Sequence, residues 1–258
     1  MIDLYDYSLL TIFLVGLIVI VGAIEAGRRL GARAGDGEND TASMLAGAAL
    51  GLLALMIGFT FAMTLSRFEA RRDALLKEAN AISTTGLRAR LLPEAQRLEV
   101  LRLLQDYVKI RLDITQRTQS AADFKSAIDQ SNALQEKLWQ QAMAVAVAND
   151  AMVPTGLFIQ TLNEMIDDQE ARLTALRNRV PEIVILALFG VAAVAGGFAG
   201  YASMIETRRA VAAVYIMGLL MTWVIMLILD LDRPTAGFIA VSQQPMIDAA
   251  NSIAAFSR

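Results

Sequence analysis

Two carboxylates are the strongest candidates for chemistry, because Asp230 and Asp232 directly follow 20 residues without a charge, 210–229. Carboxylates are hard oxygen ligands, so the pair is a possible cation site. The same two residues could instead cap or anchor the end of an apolar helix, and both interpretations stay open. The sequence contains no motif for a cofactor, and we predict none.

The residue types that the chain lacks limit the remaining chemistry. It contains no cysteine and no histidine, which excludes disulfides, thiol nucleophiles, thiolate zinc sites and an imidazole base. Ser43, Ser66 and Ser203 are isolated from any group that could activate them. We therefore predict that the protein is not an enzyme. Its net charge of −3 also predicts no nucleic-acid partner.

Four uncharged segments form the framework that must position Asp230 and Asp232. They contain 18, 26, 23 and 20 residues and cover 7–24, 41–66, 183–205 and 210–229. About 20 apolar residues at 1.5 Å rise cross a hydrocarbon core of roughly 30 Å. The sequence therefore predicts an all-α membrane protein with four transmembrane helices per subunit and the lipid bilayer as a partner. The first helix should end at Gly27-Arg28-Arg29.

The segment between the second and third crossings, 67–180, is predicted to be helical and to lie outside the membrane. It holds 16 Lys and Arg against 15 Asp and Glu, a balance that at helical spacing is typical of amphipathic helices packed on each other. The helical pattern continues after Ser66 with no helix-breaking residue before Gly86, so the second helix should exceed forty residues and project from the bilayer. The predicted segments are 1–66, 67–180, 181–230 and a C-terminal tail, 231–258.

One set of motifs resembles a known family of membrane proteins. Gly58-Phe59, followed nine residues later by Arg67-Phe68, resembles the second transmembrane helix of the bestrophin channels. Glu78-Ala79-Asn80 and the acidic, proline-containing segment 229–234 resemble a bacterial family that is described only as bestrophin-like. The order of elements agrees too, since two crossings, a helical extramembrane region and two more crossings follow one another. The resemblance implies a bestrophin-like fold.

The resemblance also implies a pentamer with one central pore, lined by the second helix of each subunit. Bestrophin pores narrow at a neck of apolar side chains four residues apart, and the Gly-Phe pair aligns Gly51, Leu55 and Phe59 with those positions. This spacing places all three on one helix face. Gly51 departs from the bulky residue of the channels, and its GxxxG pairing with Gly47 fits close helix packing equally well. Leu55 and Phe59 could likewise belong to an ordinary bundle core.

Two functions therefore remain open. The first is an oligomeric, pentameric ion channel in a bacterial inner membrane, with further copies of the chain and permeant small ions as its partners. The second is a non-conducting membrane scaffold or sensor whose helical extramembrane region binds a partner protein. The arginines of the short loops favour an outside N-terminus, whereas the charges that flank 67–180 favour the reverse. Bestrophins keep both termini and the middle region in the cytosol, and the resemblance implies that orientation here.

Overall fold

The computed structural model describes residues 5, 7–34, 39–116, 121–148, 152–203, 208–234 and 237–256, and no strand occurs among them. The helices follow one another along the chain as α1 Leu9–Ala34, α2 Asn39–Ala89, α3 Glu94–Gln116, α4 Ala121–Ala148, α5 Met152–Arg177, α6 Glu182–Ala202, α7 Arg208–Asp232 and α8 Gln244–Phe256.

Four helical stretches are long and apolar enough to cross a membrane, 9–33, 40–89, 153–202 and 211–232. They contain α1, α2, α6 and α7, so the prediction of an all-α membrane protein with four transmembrane helices is confirmed. α2 runs for 51 residues without interruption, as its lack of breakers predicts. The predicted end of α1 at Gly27-Arg28-Arg29 is wrong, because α1 continues to Ala34.

Gly27 lies inside α1, at the point where this helix crosses α6 and only a small residue fits. A Cβ at Gly27 would lie 1.9 Å from the carbonyl oxygen of Gly197, and one at Gly200 would lie 2.2 Å from that of Ile24. Small residues allow two membrane helices to approach this closely. A Cβ at Gly196, one turn before Gly200, would lie 3.1 Å from the Ile24 side chain, so these two glycines act together as a packing motif within the chain.

α1, α6 and α7 pack on one another in the first of two compact units, which comprises residues 1–68 and 179–240. Its core is aliphatic and contains side chains at most 2% exposed, among them Ile20, Ile24, Leu53, Leu188 and Ile225. The N-terminal part of α2 belongs to this unit and contributes Leu53 to the core.

The second unit comprises residues 69–178 and 241–258. α4 packs on α3 and on α5, and α8, which lies in the segment predicted as a tail, packs on α3. α3 begins directly after Pro93, whose carbonyl accepts the N–H of Arg97, and proline suits the first turn of a helix. The apolar face of α3 is buried through Leu101, Leu104 and Val108. Burial of such faces holds amphipathic helices together in water.

Candidate functional site

The predicted neck residues lie on one face of α2 that the rest of the chain leaves uncovered. The side chains of Leu55 and Phe59 are 56% and 69% exposed, and Gly51 is exposed as well. Among the described residues, no heavy atom from outside the local helix lies within 4 Å of an ideal Cβ at Gly47, Gly51 or Gly58. These glycines differ in this respect from Gly27 and Gly200, which pack inside the subunit.

The opposite face of α2 is the one that packs within the first unit. Leu53, Thr60 and Thr64 are at most 4% exposed. The hydroxyl of Thr60 donates to the Met56 carbonyl at 2.8 Å, and that of Thr64 donates to the Thr60 carbonyl at 2.7 Å. Since these hydroxyls are satisfied within the helix, the buried face needs no polar partner. The apolar stripe at Leu55 and Phe59 is therefore not the core of the single subunit.

The two carboxylates of the possible cation site bind different parts of the chain. The oxygens of Asp230 accept the backbone N–H groups of Phe238 at 2.7 Å and Ile239 at 3.0 Å. Asp232 accepts the N–H of Val180 at 2.8 Å and the hydroxyl of Tyr5. Among the described residues, no group of three or more Asp, Glu, His or Cys could hold a metal ion. The contacts fit the anchoring interpretation, and the cation site stays a prediction.

Asp232 connects three segments of the first unit where α7 ends. The Tyr5 hydroxyl also donates to the Val180 carbonyl at 3.1 Å, and the Arg179 guanidinium lies 4.6 Å from the centre of the Tyr5 ring. Burial raises the pKa of Tyr5, and the hydrogen bond to Asp232 raises it further. Tyr5 therefore stays protonated and remains a donor to the carboxylate. Arg233 donates to the Tyr7 carbonyl at 2.6 Å, which adds a second link to the N-terminal segment.

A buried ionic network in the second unit was not predicted from the sequence. Glu78 on α2 accepts Arg111 of α3 at 2.5 Å and Arg172 of α5 at 2.7 Å. All three side chains are at most 3% exposed. The hydroxyl of Tyr107 donates to Glu78 at 3.1 Å and to Gln169 at 2.9 Å. One carboxylate thus joins three helices of this unit.

Burial and charge act in opposite directions on the guanidinium groups of this network. Burial lowers the pKa of Arg172, and the nearby Glu78 carboxylate opposes that change. For Arg111, burial is again the largest single influence and lowers the pKa, but Glu78 and Tyr107 together outweigh it and the net direction is upward. Both groups stay charged, because an arginine does not lose its proton in a protein. Glu78 therefore faces two permanent cations.

The sequence did carry a weak signal for this network. Glu78 lies among Leu75, Ala79 and Ile82 on the buried side of α2, and Arg111 stands one turn after Tyr107 on the apolar face of α3. A charge at an apolar position of an amphipathic helix needs a partner when it is buried. The identity of that partner could not be read from spacing, because the three charged residues are far apart in the chain.

Comparison with known proteins identifies the family and the fold of the chain. Residues 11–246 match the bestrophin-like domain. No curated protein gives a match. The crystal structure of a bacterial bestrophin homologue from Klebsiella pneumoniae has a TM-score of 0.71 at 14% identity, over 97% of this chain and 98% of that chain.

Two further crystal structures have the same fold. A variant of the Klebsiella pneumoniae homologue has a TM-score of 0.70 at 15% identity, over 96% of this chain and 98% of that chain. A variant described only as a membrane protein has a TM-score of 0.72 at 12% identity, over 96% and 98% of the two chains. At such low identity these likenesses establish the fold alone. The family follows from the domain match over residues 11–246, and the chain belongs to the bestrophin-like family.

Proposed function

We propose that this protein is an oligomeric ion channel of a bacterial inner membrane, with five subunits around a pore lined by α2. The observation that carries the proposal is the uncovered face of α2, where Leu55 and Phe59 are largely exposed in the subunit. An apolar helix face in a membrane protein must meet lipid, another helix or a pore. Membership of the bestrophin-like family supports the pore.

Such a pore would be closed by its own apolar lining. Five copies of Phe59 and of Leu55 would form rings without a polar group to replace the hydration shell of an ion. An ion must then lose water at a high cost or wait until the ring widens, and dewetted apolar constrictions do gate channels. Gly51 adds no side chain to the neck, so the constriction would consist of two rings.

The experiment that tests the proposal combines the subunit count with conductance. Native mass spectrometry in mild detergent should give a homo-oligomer, with five subunits expected. The same preparation, reconstituted in a planar bilayer, should give discrete single-channel currents. Monomers alone would contradict the proposal, and so would a stable oligomer that never conducts.

A second candidate is a scaffold or sensor that binds a partner protein through its extramembrane helices. The observation in its favour is the exposure of Val147 and Val153, which are 90% and 72% exposed near the end of α4 and the start of α5. Contiguous apolar patches on a protein surface mark protein contacts, and these two valines would contribute to such a patch. A non-conducting oligomer whose partner binding is lost on Val147→Ser would favour this function over the channel.

A further inference from the structure

An apolar groove runs between α1 and α7 on the surface of the first unit. Its volume is about 900 Å³, and all the residues that line it belong to that unit. Phe13 of α1 and Trp223 of α7 line its deep end, where their rings meet edge to face with centroids 6.1 Å apart. Leu10 and Trp223 are 66% and 64% exposed, so the groove is open along its side.

The polar groups of the groove lie at its other end. Ser8 stands just before α1, and Asp230 and Arg233 stand where α7 ends. Trp223 precedes Asp230 by seven residues, which make about 10 Å of helix. Asp230 is also the first charge after the uncharged segment 210–229. The polar end therefore lies at the membrane boundary, and the rest of the groove lies at the depth of the hydrocarbon.

Arg233 supplies a cation at this polar end. Its guanidinium donates to the Tyr7 carbonyl at 2.6 Å, which places it beside the start of α1. The groups whose charge acts on it are Asp230, Arg179 and Tyr5. Tyr5 stays neutral, because burial raises its pKa, and Arg179 is an exposed cation. The polar end of the groove therefore carries guanidinium groups at the level of the lipid headgroups.

The carboxylate of the groove is engaged by the backbone. The two oxygens of Asp230 accept the N–H groups of Phe238 and Ile239 at 2.7 and 3.0 Å. These hydrogen bonds fix Phe238, which is 92% exposed, at the edge of the groove. Aromatic side chains are enriched at membrane boundaries, where one side meets the lipid tails. Asp230 thus anchors an aromatic wall of the groove.

We propose that this groove binds one phospholipid of the surrounding bilayer, with an acyl chain along Leu10, Phe13 and Trp223 and the phosphate at Arg233. The groove has the polarity of such a molecule, with a cation at the level of the headgroups and apolar side chains at the level of the tails. Arginine binds phosphate through two parallel hydrogen bonds. The inference does not depend on conduction, since it needs only that α1 and α7 cross the membrane.

Trp223 makes the binding measurable, because the chain has only one other tryptophan, Trp139. The Trp139→Phe variant, freed of lipid in a non-ionic detergent, is titrated with a phospholipid whose acyl chains carry bromine, which quenches tryptophan fluorescence on contact. Quenching should saturate at one phospholipid per chain, whereas lipid that merely dissolves in the micelle would quench in proportion to its amount. Native mass spectrometry of the chain with both tryptophans should count the same stoichiometry.

The headgroup contact is tested at Ser8, whose hydroxyl accepts the N–H of Thr11 at 3.1 Å and caps α1. Asp and Asn are both good caps, so Ser8→Asp adds a negative charge beside the phosphate, and Ser8→Asn is its uncharged control. Ser8→Asp should weaken phospholipid binding by about fivefold or more through charge repulsion, and Ser8→Asn should leave it unchanged. A brominated diacylglycerol, which lacks the phosphate, should bind both variants equally. Glycerol phosphate, which lacks the tails, should not displace the phospholipid.

The tail contact is tested at Phe238. Phe238→Ala should weaken the binding of both brominated lipids by about threefold or more, because apolar contact is lost. Ile216→Ala, at an exposed position of α7 that does not line the groove, should have no effect. Quenching that never saturates, or a Ser8→Asp variant that binds phospholipid like the wild type, would overturn the inference. So would an oligomer in which Trp223 is not quenched at all, because a second copy of the chain would then cover the groove.

Discussion

Glu78 joins three helices of the second unit, because two buried cations meet at its carboxylate. Solvent hardly reaches Arg111 and Arg172, since both side chains are at most 3% exposed. The net worth of a buried ion pair relative to apolar residues is small, whereas the loss of one partner is costly. The network therefore helps to specify how these helices pack. The substitution that should weaken it most is the removal of its single carboxylate.

We expect Glu78→Gln to destabilise the protein by about 3–5 kcal/mol, because two buried guanidinium groups would lose their counter-charge. Thermal unfolding in detergent measures the effect. Glu99→Gln is the matched control, because it breaks an exposed pair with Arg102, and exposed pairs contribute little. Equal melting temperatures for the two variants would contradict the structural role of Glu78.

At the scale of the helix, α1 and α6 are held together by close backbone contact at glycines. Gly27→Ala should destabilise the first unit by about 1–3 kcal/mol, because the new methyl group would overlap the Gly197 carbonyl and force the helices apart. Gly190→Ala on α6 is the control, since no described atom from outside the local helix lies within 4 Å of that position. Melting in detergent should separate the two variants, and a neutral Gly27→Ala would disprove the contact.

The uncovered face of α2 gives a prediction about gating. If α2 lines a pore as proposed, Leu55→Ala together with Phe59→Ala should widen the proposed apolar rings and raise the basal single-channel conductance, while the oligomer keeps its size. The control is Ile185→Ala with Leu188→Ala on α6, two side chains with 0% exposure. Truncation in a packed core costs roughly 2–5 kcal/mol per residue and should weaken the fold without a gain in current. An α2 variant that falls apart without added current would assign Leu55 and Phe59 to a packing surface.

The elements could be predicted from the sequence far better than the contacts between them. Four long uncharged segments admit hardly any other interpretation than four crossings, and the absence of a breaker before Gly86 predicted the length of α2. The end of α1 was missed because Gly27 looks the same whether it ends a helix or allows another helix to approach. The partners of Glu78 could not be predicted, because residues 78, 111 and 172 meet only after three helices have packed.

At the scale of the whole molecule, the charges that favour a topology act before the chain has folded. Arg71 and Arg172 are 3% and 2% exposed in the folded chain, yet both flank the middle region during insertion, when the positive-inside rule operates. Both arginines therefore count among the charges that flank 67–180, although they are buried in the folded chain. The flanks of 67–180 then outweigh the short-loop arginines, in agreement with the orientation of the bestrophins.

We therefore expect the extramembrane helices to face the cytosol. A cysteine at Gln130, in this cysteine-free chain, should be protected from impermeant thiol reagents in intact cells and should react once the cells are permeabilised. Gln130 is exposed on α4, so protection in intact cells would reflect the compartment and not burial. A cysteine at Gly37, which lies between α1 and α2 outside the described residues, should label without permeabilisation. The reverse pattern would mean that Arg28, Arg29 and the other short-loop arginines set the topology.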